Sequence, residues 1–410
     1  MIGSGIFMLP AALAAFGGIS IVGWMCASLG AVLLAVVFGY LGKLVPEANG
    51  GPFAYTRVGM GDFAAYLVAW GYWVSIWCAN AAITVAVVGY LAVFFPILET
   101  SAMAAIATGL AIVWFFTWIN SKEIKTVALV QIIATTLKIA PIILIGIWGM
   151  FYVQAENFTP FNLTAESDFS VITTTTMLTF FAFLGMESAT IPSGSVQDSE
   201  RTVRKATVFG TLATVVIYII SSVAIMGVIP AEVLAESSAP FADVAEIFWG
   251  DAAKYIVAAG AVIATMGALN GWILMQGAIP MAAAHAGLFP KIFGKVNTAH
   301  SPIYGIVISS SIVSIFMLFN YSNSLVDTFS YMMQLTTLAV TIPFLFSIIS
   351  LVRILKRSSA GFYKKCAVAM SAFAFTVWIM VGCGSEVLIS GLVLFLLGIP
   401  FYFLISREKA

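Results

Sequence analysis

The chain has 410 residues, of which 61% are hydrophobic and only 9% charged, and its 18 basic and 18 acidic side chains cancel. A mean hydropathy of +1.05 excludes a water-soluble globular domain and makes the lipid bilayer the first partner to consider. No nucleic-acid role follows, because the basic surface it needs is absent.

In chain order, the first feature is Met1-Ile2-Gly3-Ser4-Gly5-Ile6-Phe7, followed by Met8-Leu9-Pro10. Two glycines around a serine in an apolar run weaken a helix by about 1 kcal/mol each against alanine. In a bilayer, such an interruption is tolerated where its freed backbone groups line a cavity or meet a ligand. Apolar segments suited to crossing ~30 Å of hydrocarbon then recur. They lie near residues 2–16 (short), 20–42, 62–94, 102–119, 126–153, 169–192, 206–229, 253–280, 303–320, 327–352, 366–382 and 387–405. These predict an all-α polytopic membrane protein with twelve transmembrane helices, the first truncated. In the sixth segment, Phe183-Leu184-Gly185-Met186-Glu187-Ser188 followed by Pro192-Ser193-Gly194 marks a second interrupted helix. Breaks in helices one and six are what an inverted repeat of five plus five helices produces, with substrate held between them.

Lysine and arginine set the orientation. Lys43, Arg57, Lys122, Lys125, Arg201, Arg204, Lys205, Lys291, Lys295, Arg353, Lys356, Arg357, Lys364, Lys365, Arg407 and Lys409 fall on one face, sixteen of the 18 basic residues. The opposite loops carry only Lys254, among acidic residues such as Glu232, Glu236, Asp243 and Glu246. This predicts a cytoplasmic C-terminus, and the short loops leave no room for a separate soluble domain. Cys26, Cys78, Cys366 and Cys383 sit in or beside apolar runs without metal-ligand spacing and read as small core residues. His285 and His300 share one basic loop, and no nucleophile–base, zinc or phosphate-loop pattern appears. No enzyme activity, cofactor or metal is therefore expected.

Ionisable residues inside a bilayer are costly and mark functional candidates. Glu187 lies beside the second break, where a partly dehydrated carboxyl is a candidate proton switch. The alternative is a helix-end carboxylate bonded to backbone. Lys138 lies thirteen residues beyond Lys125, about 20 Å along a helix, too far to snorkel easily. It is expected to face the interior, where an ammonium can stand in for a bound cation; a structural ion pair or a shifted helix boundary is the alternative. Tyr72, Trp73, Trp77, Phe181 and Trp272 lie on segments expected to surround the breaks, although packing accounts for aromatics equally well. Asn80 needs an amide partner, from a neighbouring helix or a ligand.

Gly3-Ser4-Gly5-Ile6-Phe7 with Pro10, the stretch from Tyr72 to Asn80, Phe181 to Ala189, Gly271-Trp272 and Gly287-Leu288-Phe289-Pro290-Lys291-Ile292-Phe293 resemble, in this order, the amino acid/polyamine/organocation (APC) superfamily. Within it, the chain is most similar to the bacterial basic amino acid/polyamine antiporters. The resemblance implies a LeuT-type fold over 1–410, with a first repeat at 1–153, a second at 169–352 and two additional helices at 366–405. It also implies secondary transport of amino acids or polyamines across the inner membrane by alternating access, with Ile2, Gly3, Ser4 and Gly5 holding the substrate's polar end. Asn80 would meet the substrate's side chain, and Phe181, where the antiporters have tryptophan, would stack on it beside Trp272. Tyr72, Glu187 and Phe344 would form gates, Phe344 standing where the antiporters have tyrosine. The exchangers carry a small apolar residue at the place of Lys138, whereas some proton-coupled relatives carry lysine. Lys138 and Glu187 are thus expected to couple transport to protons.

Relative to that family, about twenty residues before the glycine motif are missing. The expectation is a start assigned too far downstream or a degraded gene. Proton-linked transport is the leading reading, obligate exchange of the arginine/agmatine kind the second, and a transport-inactive remnant or sensor the third. A channel is a further option, without any stretch resembling a selectivity filter. The oligomeric state is open, a homodimer being one option.

Overall fold

Alanine, valine, leucine and phenylalanine in long uninterrupted runs satisfy their backbone only by coiling, since lipid offers no hydrogen-bond partner. The computed structural model describes residues 3–45, 50–122, 139, 141–187, 199–320, 324–358 and 361–407, and every regular element in them is helical. Ile2 and Lys138 lie outside the described residues.

The helices used below are α1 (Ser4–Ala14), α2 (Ser20–Leu44), α3 (Pro52–Met60), α4 (Asp62–Ala92), α5 (Ala102–Asn120), α6 (Pro141–Tyr152), α7 (Asp168–Phe180), α8 (Ser199–Val228), α9 (Pro240–Trp249), α10 (Asp251–His285), α11 (Ile303–Asn320), α12 (Leu325–Ile354), α13 (Phe362–Val381), α14 (Gly384–Leu396) and α15 (Gly398–Arg407). Among the described residues, eight helical stretches are long and apolar enough to cross a membrane, and four shorter apolar helices lie at Ser4–Ala14, Pro141–Tyr152, Asp168–Phe183 and Ile303–Phe319. One of these falls in each predicted segment. Two loops differ from the sequence reading: α3 and α9 are helices, each started by proline in its first turn, where the missing N–H costs nothing. His285 is the last residue of α10 rather than a loop residue, its Nε2 lying 3.2 Å from the Gly294 carbonyl; His300 is in the loop.

Helix α4 is the central post. Of its most apolar window 94% is buried, against 28% for α13, so α4 is wrapped by protein while α13 lies at the rim. It packs most extensively on α12 and α10; a second group joins α2 to α7, α8 and α13. Helix α1, buried along its whole length, touches members of both groups. At the periphery, Trp114, Phe115, Trp118, Leu144, Phe319 and Leu392 are exposed, an apolar belt suited to lipid. All four cysteines are free thiols, Cys78 and Cys383 buried.

Lys254 folds into the first turn of α10 and pairs with Glu246 at 2.7 Å and Asp243 at 3.4 Å on α9. It is thus neutralised within the acidic group that the sequence placed around it.

Candidate substrate cavity

Helix α1 begins at Ser4, preceded by extended backbone at Gly3, so its first-turn N–H groups have no acceptor within the helix. Tyr218 of α8 joins the Gly3 backbone by a hydrogen bond, and the Tyr90 hydroxyl of α4 donates to the Phe7 carbonyl at 2.8 Å. These two tyrosines fix the angle at which α1 enters.

The second break has a local cause. Helix α7 tightens into a 3₁₀ turn at Phe181–Phe183, Leu184 turns extended, and Gly185 takes φ +94°, a conformation side chains other than glycine's rarely adopt. The buried Glu187 carboxylate turns back to accept the Gly185 N–H at 3.1 Å (Oε2) and 3.3 Å (Oε1), and Oε1 also accepts the Tyr72 hydroxyl at 2.6 Å. Both readings of Glu187 meet here: it bonds the broken backbone, and it bonds the tyrosine expected at a gate.

The breaks face one small cavity of ≈ 30 Å³. Its wall combines Gly3, Ser4 and Gly5 of the first break with Phe181, Ala182, Leu184 and Glu187 of the second. Helix α4 adds Tyr72, Ser75, Ala79 and Ile83, α10 adds Ala268 and Trp272, and α12 adds Thr336 and Val340. A Cβ on Gly5 would lie 3.1 Å from Ala182 Cα and 3.3 Å from Phe181 Cδ1, so glycine there lets the two breaks touch. The N-terminal end of α1 carries partial positive charge and the C-terminal end of α7 partial negative charge. Opposite helix ends on one cavity complement a zwitterion carrying a carboxylate and an ammonium group.

Of the residues singled out in the sequence, Gly3, Ser4, Gly5, Tyr72, Phe181, Glu187 and Trp272 therefore come together. Asn80 and Phe344 do not line this cavity. Asn80 is buried and donates to Gln276 Oε1 at 2.7 Å, while Phe344 packs edge-on against Phe38 with ring centroids 5.2 Å apart. Trp73 and Trp77 point away; the Trp73 indole donates to the Gln276 carbonyl and the Ser309 hydroxyl. Sequence reasoning missed Ser75, Ala79, Ile83, Ala268, Thr336 and Val340, although the first three follow Tyr72 at helical spacing and Ala268 precedes Trp272 by one turn. It also missed Gln276, an amide one turn beyond Trp272.

The profile of the amino acid permease family matches residues 1–405. The chain belongs to the amino acid permease family. A cadaverine/lysine antiporter of Escherichia coli (strain K12) is 31% identical to this permease over 409 residues, 98% of this chain and 91% of the relative. Arginine/agmatine antiporters of Chlamydia pneumoniae and Chlamydia felis are 29% and 28% identical, the alignments spanning 100% and 98% of this chain and 88% and 86% of theirs. The resemblance drawn from the broken-helix motifs is thus borne out. The permease is a multi-pass membrane protein of a transporter family and not an enzyme. Membership also implies a LeuT-like fold.

Proposed function

We propose that this permease is a secondary transporter that moves amino acids or their amine derivatives across the inner membrane by alternating access, linked to protons, with its C-terminus in the cytoplasm. The observation that carries this is the joining of two helix breaks on one cavity, where α1 and α7 present opposite partial charges beside Tyr72, Phe181 and Trp272. The twelve-span reading, five plus five helices in inverted repeat and two more, is supported by the match of eight long and four shorter apolar helices to the twelve sequence segments. Gly3, Ser4 and Gly5 take the substrate's polar end, Phe181 and Trp272 close over the rest, and Tyr72 with Glu187 forms a gate. Ile2 and Lys138 enter on the sequence argument alone, Lys138 as the group whose proton release couples to the conformational change.

A second reading is obligate exchange of an amino acid for an amine, favoured by the names of the antiporters that align along nearly the whole chain. Purified protein in proteoliposomes separates the two. Uptake of labelled amino acids driven by a proton gradient without internal substrate supports proton-linked transport. Uptake that requires internal substrate and ignores the gradient establishes exchange and makes Lys138 structural. No movement under either condition refutes both.

A further inference from the structure

We infer that the cavity selects neutral, apolar amino acids in zwitterionic form over dibasic amino acids and over amines that lack a carboxylate. This rests on the transport function proposed above and concerns the same cavity. At its polar end, Ser4 is 2% exposed and lines the cavity. It stands beside the first-turn N–H groups of α1, so a carboxylate oxygen is the ligand group that satisfies both. A decarboxylated amine brings nothing to that end.

The rest of the wall is mostly apolar, the Ser75 and Thr336 hydroxyls on it donating back to the Tyr72 and Met332 carbonyls of their own helices. Ala79, Ile83, Ala268, Val340, Phe181 and Trp272 surround the space for a side chain. Among the described lining residues Glu187 is the sole carboxylate, and it already accepts from Tyr72 and from Gly185 on both its oxygens. Asn80, the amide that could have read a polar side chain, does not line the cavity, and its amide nitrogen donates to Gln276. A second ammonium or a guanidinium would therefore lose its water with only Glu187, already committed to Tyr72 and Gly185, as a charged partner on the described wall, a large penalty. Attraction to the faces of Phe181 and Trp272 recovers only part of it. A leucine, isoleucine or phenylalanine side chain gains from the same walls.

Carboxylates do gather elsewhere, around the loops of Glu99, Glu236, Asp243, Glu246 and Asp327. None of them lines the cavity. Ser238 donates to Glu99, Ser237 donates to Asp243 at 2.5 Å, and Lys254 neutralises Asp243 and Glu246. That group raises the local concentration of cations without selecting one.

The test is uptake of labelled leucine, and separately of labelled arginine, into proteoliposomes of the full chain, run with a proton gradient and again with internal substrate. Unlabelled leucine, isoleucine, phenylalanine, arginine, lysine, agmatine and cadaverine serve as competitors. The expected result is half-inhibitory concentrations at least tenfold lower for the three neutral amino acids than for the four cations. Equal or stronger competition by arginine, lysine or an amine overturns the selectivity while leaving the transport function standing; movement of neither label under either condition overturns both. Ile83→Asp places a carboxylate on the wall and is expected to shift preference toward lysine at least tenfold relative to leucine. Ile83→Asn, alike in shape and uncharged, is expected not to. Equal lysine preference in the two variants counts against the charge argument, and the competition series on the unaltered protein stands whether or not either variant folds.

Discussion

Replacing Tyr72 by phenylalanine tests the join between α4 and the second break at the level of a single atom. The hydroxyl donates to Glu187 Oε1 at 2.6 Å, and the two residues are 2% and 0% exposed, so water does not take its place. A hydrogen bond to a charged group contributes about 1.5–3 kcal/mol. The phenyl ring keeps its packing, and the Gly185 N–H still reaches the carboxylate at 3.1 Å, so the loss is confined to one bond. If that bond holds the transport-competent arrangement, kcat/KM for uptake falls by about 10- to 150-fold in Tyr72→Phe. Glu187→Gln keeps an oxygen acceptor but lowers the bond to the neutral value of about 1 kcal/mol. The double variant should then fall short of the sum of the single effects by about 1 kcal/mol, read from kcat/KM in proteoliposomes and checked against melting in detergent. Additivity within about 0.5 kcal/mol would refute a direct energetic link between these residues.

Three further outcomes are expected. With Glu187 acting as a proton sensor, the pH–rate profile of Glu187→Gln should be flatter than that of the unaltered protein, and an unchanged profile rejects the role. Gly382→Ala puts a Cβ 2.7 Å from the Thr173 carbonyl oxygen and 3.0 Å from its carbon, while Trp378 holds α13 to Thr173 at 3.0 Å; a loss of about 1–3 kcal/mol should appear as a lowered melting temperature, and unchanged melting contradicts the packing. Asn80→Ala leaves Gln276 Oε1 without its donor, so stability should drop by about 1–3 kcal/mol with the ranking of substrates unchanged; an altered ranking with unaltered melting places Asn80 on the substrate instead.

The comparison of Asn80 with Ala79 shows what a sequence can and cannot carry here. The span positions were legible because each needs a long apolar run, and the breaks because Gly3, Gly5 and Gly185 stand where a membrane helix should not yield. Glu187 was legible because its charge is anomalous in lipid. The side-chain end of the cavity was not, because it is built from alanine, isoleucine and valine, which line a cavity and fill a helix contact equally well. Neighbouring residues on a helix point about 100° apart, so the polar Asn80 drew notice while Ala79 beside it faces the space. The helices α3 and α9 were missed although Pro52 and Pro240 announce their first turns; their shortness hid them inside loops read as connections.

The polar side chains that avoid the cavity explain why two of its walls stay in place. Gln276 takes the Asn80 amide at 2.7 Å and donates to Ser310 at 2.7 Å, and Ser310 in turn lies 2.6 Å from the Thr117 hydroxyl. Asn120 reaches Asn270 at 2.9 Å. These bonds lash α4, α10, α11 and α5 together in a setting where an unmade bond is costly. Trp272 and Gln276 sit one turn apart on α10, the first on the cavity and the second in the lashing. The face carrying Ala79, Ile83, Ala268 and Trp272 is thereby tied to a bonded framework, whereas α1 and the end of α7 meet across Gly5 and Ala182 through close contact alone. Alternating access requires one surface that holds its shape and another that shifts against it. On the transport function proposed above, α4 and α10 suit the first role and the two breaks the second, with the Tyr72–Glu187 and Tyr90–Phe7 bonds as described side-chain ties across that boundary.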